Sequence, residues 1–439
     1  RYRMKLTERD NKIIWHPFTQ EKTANPPITI KEGKGSYIFD EHGKKYLDLI
    51  SSWWVNLHGH CHPKICDAIS NQTKKFEHVM FAGFTHEPAV LLCEKLQTIL
   101  PQSLTKFFFS DNGSTAVEIA LKMAHQYWFN KGETKRRLYL SFDGGYHGDT
   151  VGAMSVGKTS HFHKPFQNLL FDIISIPFPH TWIDDTQVLE KEKLALDYLA
   201  KQLKEKGHNI SAIILEPIVQ GASGMRMCRP EFIRAVINQV KQYDILVIYD
   251  EVMTGFGRLG TYFAAEQVGI DPDFICISKG ITGGFLPLAL TVTTKNIYNE
   301  FLGSTLDKAF THGHSYAGNP IACSAGVASF DILTSTETNT AFKQMAQSHQ
   351  KGLVNLHNKH SNIINNIRFR GTVAAFEVNS TNSLTNYLKA EFLKRGLLLR
   401  PIGNTIYMIP PYSVTMAEID NAYSIIAEVI KEADKNGVL

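Results

Sequence analysis

Lys279 closes the run Asp273-Phe-Ile-Cys-Ile-Ser-Lys279, an apolar stretch that reads as a strand leading into the loop Gly280-Ile-Thr-Gly-Gly284. Earlier in the chain a second apolar stretch, Ile245-Leu-Val-Ile-Tyr-Asp250, ends in a carboxylate. An amine and a carboxylate at the ends of neighbouring strands can face each other across a small ring. That is the pairing pyridoxal phosphate needs: an amine to form the Schiff base and an acid for the pyridine nitrogen. The plain alternative is a solvated lysine after a strand. Asp250 and Val252 lie two apart, so on an extended backbone they would point the same way, one to the ring nitrogen and one to the ring face.

Four further motifs bear on the choice. Ser110-Asp-Asn-Gly113-Ser114-Thr115 runs into a helical pattern from Ala116 to Trp128. The first amides of such a helix are unpaired and its dipole is positive there, so the turn suits a phosphate, although an ordinary N-cap looks the same. Asp143-Gly-Gly-Tyr146-His147-Gly-Asp149 reads as an exposed glycine turn, in which Tyr146 could stack on a flat cofactor or simply face water. Gly255-Phe-Gly257-Arg258-Leu-Gly260 matches the dinucleotide fingerprint formally, yet the residues from Glu251 to Thr254 separate it from the strand end where such a loop must begin. The glycines are better read as shaping a loop, with Arg258 near the site mouth. His58-Gly-His60-Cys61-His62 is spaced too tightly for a tetrahedral zinc site, and no metal is expected.

The elements that must hold these residues alternate between strand and helix from about residue 63. Strands are expected at 106–110, 137–142, 173–176, 212–216, 245–250, 274–278 and 288–293. Helices are expected at 63–75, 87–100, 114–130, 187–206, 230–242 and 318–334. This alternation means an α/β domain on a largely parallel sheet, with ligands at the carboxyl ends of the strands. Asp111, Asp143, Glu216, Asp250 and Lys279 all fall at such ends. Before it, residues 1–60 read as short strands and turns. After it, a long helix to about 358, strands at 367–370, 372–378, 397–400 and 405–409, and helices at 384–395 and 415–435 read as a smaller α+β domain. The expected division is 1–60 as a segment joining the small domain, 61–334 as the large domain and 335–439 as the small one.

The chain has 439 residues, 43% hydrophobic and 20% charged, with a formal net charge of +4 spread along its length, which is a globular composition with no basic tract for nucleic acid. Six cysteines without a CxxC pair read as reduced thiols. The charged start of the chain lacks the apolar core of a signal peptide, so the cytosol is the expected location. Met4 is a possible natural start.

Taken together, the motifs resemble those of the class III, fold-type-I pyridoxal-phosphate aminotransferases over nearly the whole chain. Asp250-Glu-Val-Met-Thr-Gly-Phe-Gly-Arg258, Ser278-Lys-Gly280 and Gly145-Tyr-His-Gly148 carry the class. Trp15-His-Pro-Phe-Thr-Gln20, Ser51-Ser-Trp-Trp54, Glu216-Pro-Ile-Val-Gln-Gly221, His312-Gly-His-Ser-Tyr316 and Arg400-Pro401 resemble the biotin-pathway branch of that family.

The resemblance implies a role for each. Lys279 holds the cofactor and shuttles the proton. Asp250 meets the pyridine nitrogen and Val252 packs on the ring. Gly113 and Ser114 bind the phosphate, joined by His314 and Ser315 from a second subunit of a homodimer. Tyr146 lies over the ring near the substrate. Trp53, Gly313 and, as a further wall, Trp54 line the substrate pocket, and Arg400 pairs with the carboxylate of the oxo acid. The implied reaction moves an amino group onto 8-amino-7-oxononanoate, with S-adenosylmethionine as donor. Phe18 stands where that branch often has tyrosine, which leaves lysine as an alternative donor. Other ω-amino acid aminotransferases of the same class and a nicotinamide oxidoreductase built on Gly255–Gly260 are the competing readings.

Overall fold

The computed structural model describes residues 4–157, 161–380 and 384–439. Its centre is a seven-stranded sheet built from β1 (Leu104–Ser110), β2 (Leu138–Phe142), β3 (Ile174–Ile176), β4 (Ile210–Leu215), β5 (Leu246–Asp250), β6 (Phe274–Ile277) and β7 (Ala289–Thr294). The strand order is β1-β7-β6-β5-β4-β2-β3. Only β7 runs against its neighbours β6 and β1; the pairs from β6 through β5, β4 and β2 to β3 are parallel. The expected α/β class and mostly parallel sheet are therefore what the fold contains.

A sheet covered on both faces must be apolar on both faces. Every residue of β4, β5 and β6 is buried. Alternate residues serve different cores. Ala212, Ile214, Leu246, Ile248, Phe274 and Cys276 pack with α1 (Gly113–Asn130), while Ile213, Leu215, Val247, Tyr249, Ile275 and Ile277 pack with Leu199, Phe232 and Val236 on the other side. The period of two in the strands is what lets one sheet divide two hydrophobic layers.

Besides a two-stranded pair of Val219–Gln220 with Arg226–Met227, the described residues form two smaller sheets. Strands Ile30–Lys34, Tyr37–Asp40 and Lys45–Asp48 form an antiparallel meander, and Leu397–Leu398 from the far end of the chain adds to it in parallel. Strands Ile364–Arg370, Val373–Val378 and Thr405–Met408 make an antiparallel sheet, beside the packed helices Thr336–Lys359 and Met416–Lys435. The expected strand at 397–400 is only two residues long. A helix, Leu6–Ile13, occupies a segment read from sequence as strands and turns, and it buries no residue. Among the described residues no helix is long and apolar enough to cross a membrane.

Candidate active site

Five strand ends converge. The carboxyl termini of β1, β2, β4, β5 and β6 point the same way, and the residues following them border one cavity of about 690 Å³. That volume is ordinary for a cofactor or substrate site. Gly113, Ser114, Tyr146, Asp250, Val252, Lys279 and Trp54 all line it, with His147, Asp149 and Glu216.

The wall after β1 is the first turn of α1. Asn112 caps the helix by accepting from Thr115 N–H at 2.9 Å, and the two residues after it, Gly113 and Ser114, border the cavity. A Cβ at Gly113 would sit 2.6 Å from Val252 Cγ1, so only glycine permits this approach. Ser114 Oγ lies 2.5 Å from Thr150 Oγ1, which in turn donates to Glu118 Oε1 at 2.6 Å.

The turn after β2 is not the exposed loop its glycines suggest. Gly148 adopts φ +126°, and a Cβ there would fall 2.3 Å from Ser114 Oγ, so the turn is pressed against the start of α1. Tyr146 is half-buried; its N–H donates to Glu216 Oε1 at 2.9 Å and its hydroxyl to Asp149 Oδ2 at 2.9 Å. Burial and the adjacent Asp149 hold the phenol well above the ordinary tyrosine value, so it stays protonated. His147, expected at the surface, has a side chain only 1% exposed and meets Asp250 Oδ2 through Nδ1 at 2.7 Å.

The floor is made by β4, β5 and β6. Asp250 ends β5, accepts from Val252 N–H at 3.0 Å and sits beside His147. Val252 shares the cavity with Asp250, but not because the strand continues: β5 stops at Asp250 and Val252 lies in a turn. Glu216, just after β4, accepts from Tyr146 N–H and, at 3.0 Å, from Gly221 N–H. Burial pushes its carboxyl up to about 7, with His147 opposing and Asp250 adding to the shift. Lys279 adopts φ 45°, an uncommon left-handed conformation for a side chain of this size. Burial lowers the proton affinity of its amine, with Asp250 and Glu216 partly offsetting. A lysine so placed supplies neutral amine more readily than a surface lysine.

Trp54 forms a wall on the cofactor side, with its ring 5.5 Å from Lys279 Nζ and its indole N–H donating to Tyr407 Oη at 3.1 Å. It sits in a short stretch in which Ser51, Ser52 and Trp54 all have positive φ. Arg258 holds that stretch in place. It is fully buried, donates from Nη1 to Ser51 Oγ at 3.1 Å and Pro410 O at 3.0 Å, and from Nη2 to Asn56 O at 3.0 Å. The expectation of Arg258 at the mouth is therefore wrong. The glycine loop folds inward, and its arginine ties three segments together from below.

Arg400 stacks on the exposed Trp53 ring at 4.7 Å, and Phe18 meets the same ring edge-on at 5.8 Å; none of these three borders the cavity, although Trp53 adjoins Trp54, which does. Gly313, His314 and Ser315 are not among the residues that border the cavity within one chain. Of the histidines at 58, 60 and 62, His58 Nε2 lies 3.1 Å from Ser329 Oγ with its ring edge-on to His62 at 6.3 Å, and His60 Nε2 lies 2.9 Å from Asp48 Oδ2. Sequence reasoning missed His147 as the buried partner of Asp250. The density of glycines around it, which permits close packing as well as exposure, was the available signal.

The set fits pyridoxal phosphate: a buried amine, a carboxylate on the same floor, and a glycine–serine turn at the start of an 18-residue helix on the adjacent wall. Comparison with known proteins agrees. The family model "Aminotransferase class-III" matches residues 18–430. The chain is 46% identical to adenosylmethionine-8-amino-7-oxononanoate aminotransferase of Synechococcus elongatus, over 95% of this chain and 98% of the relative. A crystal structure of the Methanocaldococcus jannaschii protein of that name superposes with a TM-score of 0.90 at 36% identity, covering 98% of this chain and 99% of that one. An amine transaminase from an uncultivated Pseudomonas species, solved in a PLP-bound form, matches with a TM-score of 0.89 at 30% identity over 96% and 98%. With a family match over most of its length and a floor built for the cofactor, the chain belongs to the class III aminotransferases, and it is an aminotransferase whose cofactor is pyridoxal phosphate.

Proposed function

We propose that the protein transfers an amino group from S-adenosylmethionine to 8-amino-7-oxononanoate, giving 7,8-diaminononanoate in biotin synthesis, and that it does so as a cytosolic homodimer. One observation carries the substrate: Arg400 is held against Trp53, the neighbour in sequence of the cavity-lining Trp54, and this cluster is read as the mouth of the Lys279–Asp250 cavity. A long apolar acceptor ending in a carboxylate is suited by an aromatic wall for its chain and a planar guanidinium for its end. The relatives named for this reaction support the same reading.

When bound, pyridoxal phosphate supplies the electron sink that lets a donor carbon lose its proton. The chain's own residues do the rest. Gly113 and Ser114 anchor the phosphate. Asp250 would hold a carboxylate toward the ring nitrogen and Val252 would pack against the ring. Tyr146, kept protonated, would pack there as well, and it fixes Asp149. Lys279, whose amine burial makes less basic, would take the proton from the donor carbon at its Nζ and give it up again from the same Nζ as the amino group changes hands. Trp53 and Trp54 exclude water. Gly313, His314 and Ser315 serve the second subunit's cavity; His314 Nε2 is buried with no partner among the described residues.

Phe18 favours a second reading, with lysine as donor, because a phenyl ring at the mouth lacks the hydroxyl common in the adenosylmethionine-using branch. A half-reaction decides. The cofactor-loaded protein is mixed with S-adenosylmethionine or with lysine, and the donor is the one that bleaches the visible band. No turnover of 8-amino-7-oxononanoate with either would point instead to another ω-amino acid aminotransferase.

A further inference from the structure

The threonine that opens the helix Val151–Val156 does not cap it. A threonine in that position ordinarily accepts the N–H of the second or third helical residue. The Thr150 side chain makes no such bond. The amide of Ala153, the third residue, donates instead to Glu118 Oε1 at 2.8 Å, so a carboxylate from α1 does the capping. Gly152 leaves room for it: a Cβ there would fall 2.3 Å from Glu118 Oε2. This exchange frees the Thr150 hydroxyl to meet Ser114 at the cavity wall, which both residues border.

The acceptors fix where the protons lie. A carboxylate only accepts, so the 2.6 Å contact carries the Thr150 proton to Glu118 Oε1. The 2.5 Å contact between Ser114 Oγ and Thr150 Oγ1 must then carry the serine's proton. Ser114 Oγ in turn accepts from Thr150 N–H at 3.1 Å. One residue thus holds the serine oxygen through both its amide and its hydroxyl. Gly148 crowds the same oxygen from another side, since a Cβ there would lie 2.3 Å from it. A phosphate at this wall accepts the Ser114 proton. Thr150 can then turn its own proton from Glu118 to Ser114, while Glu118 keeps the Ala153 N–H. Neither hydroxyl loses its partners in either state.

We propose that Thr150, set by Glu118, is a positioning residue for the cofactor's phosphate: it holds the Ser114 oxygen in place and lets the serine's proton turn to the phosphate. The inference rests on the role given to Ser114 above. Thr150→Val keeps the shape and loses the hydroxyl, and Thr150→Ser keeps the hydroxyl. Gly152→Ala leaves Ser114, Thr150 and Glu118 unchanged but pushes the carboxylate away from Thr150 and Ala153. Alanine is also the better helix residue, so a loss in that variant is not a weaker helix.

The readouts are the dissociation constants of pyridoxal phosphate and of pyridoxal for the apoprotein, followed at the visible band. The two ligands differ by the phosphate, so the change in their ratio between variants reads the phosphate wall alone. We expect T150V and G152A to bind pyridoxal phosphate roughly five- to tenfold more weakly and pyridoxal within about twofold of the unsubstituted protein, with T150S within about threefold for both. An unchanged ratio in T150V would overturn the proposal, as would equal losses for both ligands, which a purely structural role would give. If G152A does not fold, the valine and serine variants still decide. Ser114→Ala separates this proposal from the reading beneath it: an unchanged ratio there would mean that Ser114 itself does not hold the phosphate.

Discussion

The floor of this cavity and the aromatic cluster proposed as its mouth are built by different means. The floor is made of strand ends from a sheet buried on both faces, and its polar groups are held by one another: Glu216 by two backbone amides, Asp250 by Val252 and His147, and the adjoining Tyr146 by Glu216 and Asp149. The mouth is made of aromatic and basic side chains from sequence-distant segments, with Phe18, Trp53 and Arg400 meeting mainly through ring contacts. A rigid floor suits chemistry common to a whole class, because hydrogen-bonded carboxylates and a buried amine do not depend on which substrate arrives. An open aromatic mouth suits choice among substrates, since contacts there can change without unsettling the sheet.

The comparison breaks most sharply at Lys279. Replacing it with alanine should leave the fold and the mouth intact while turnover falls by roughly 10⁴-fold, the upper range for losing a positioned acid–base group. Product formation under saturating donor, with circular dichroism as the fold control, checks this. Residual turnover above about a hundredth of the original would mean that another group on the floor moves the proton.

The floor should also cost stability, and Glu216 is where that cost can be read. Its carboxyl is pushed from 4.5 up to about 7 by burial. Between those values the folded protein holds a proton that the unfolded chain has released, so stability falls as pH rises through the window. Glu216→Gln removes this slope. Relative to the unsubstituted protein, the variant should gain on the order of 3 kcal/mol between pH 4 and pH 8. Urea unfolding of both proteins at the two pH values measures it, and parallel pH curves would refute the assignment.

The same division explains what could be read from the chain alone. Strands β4 to β6 and helix α1 were legible because their apolar residues recur with a clear period, and Lys279 and Asp250 because polar groups ending such strands are conspicuous. Arg258 was not, since nothing in Gly257-Arg258-Leu-Gly260 says that the loop turns inward to grip Ser51 and Asn56. His147 hid behind glycines that signal exposed turns and tight packing alike. Helix Leu6–Ile13 has no buried residue and so no apolar face to betray it. Composition marks local preference, and these misses are all long-range contacts or the lack of them.

At the mouth, effects should be smaller and should split by substrate. Arg400→Met keeps a flexible stem on Trp53 but removes the fork. Losing a charge-assisted pair with a carboxylate costs about 2 kcal/mol, so KM for 8-amino-7-oxononanoate should rise roughly 30-fold. The half-reaction with S-adenosylmethionine alone should be nearly unchanged. Equal losses in both halves would place Arg400 in the shared floor chemistry instead.

The finest test is Phe18→Tyr. Phe18 sits at φ 52°, its ring edge-on to Trp53, and more than half exposed. Adding a hydroxyl at an exposed ring edge creates one neutral hydrogen bond at most, worth about 1 kcal/mol. If the mouth selects the donor, that bond should appear in one half-reaction only: S-adenosylmethionine should react a fewfold faster in the variant, while any reaction with lysine and the KM for the oxo acid stay put. Rapid-mixing measurement of the visible band with each donor resolves a change of that size. An equal gain with both donors would mean that the hydroxyl merely stiffens Trp53, and the choice of donor would then have to lie deeper, among the residues that border the cavity itself.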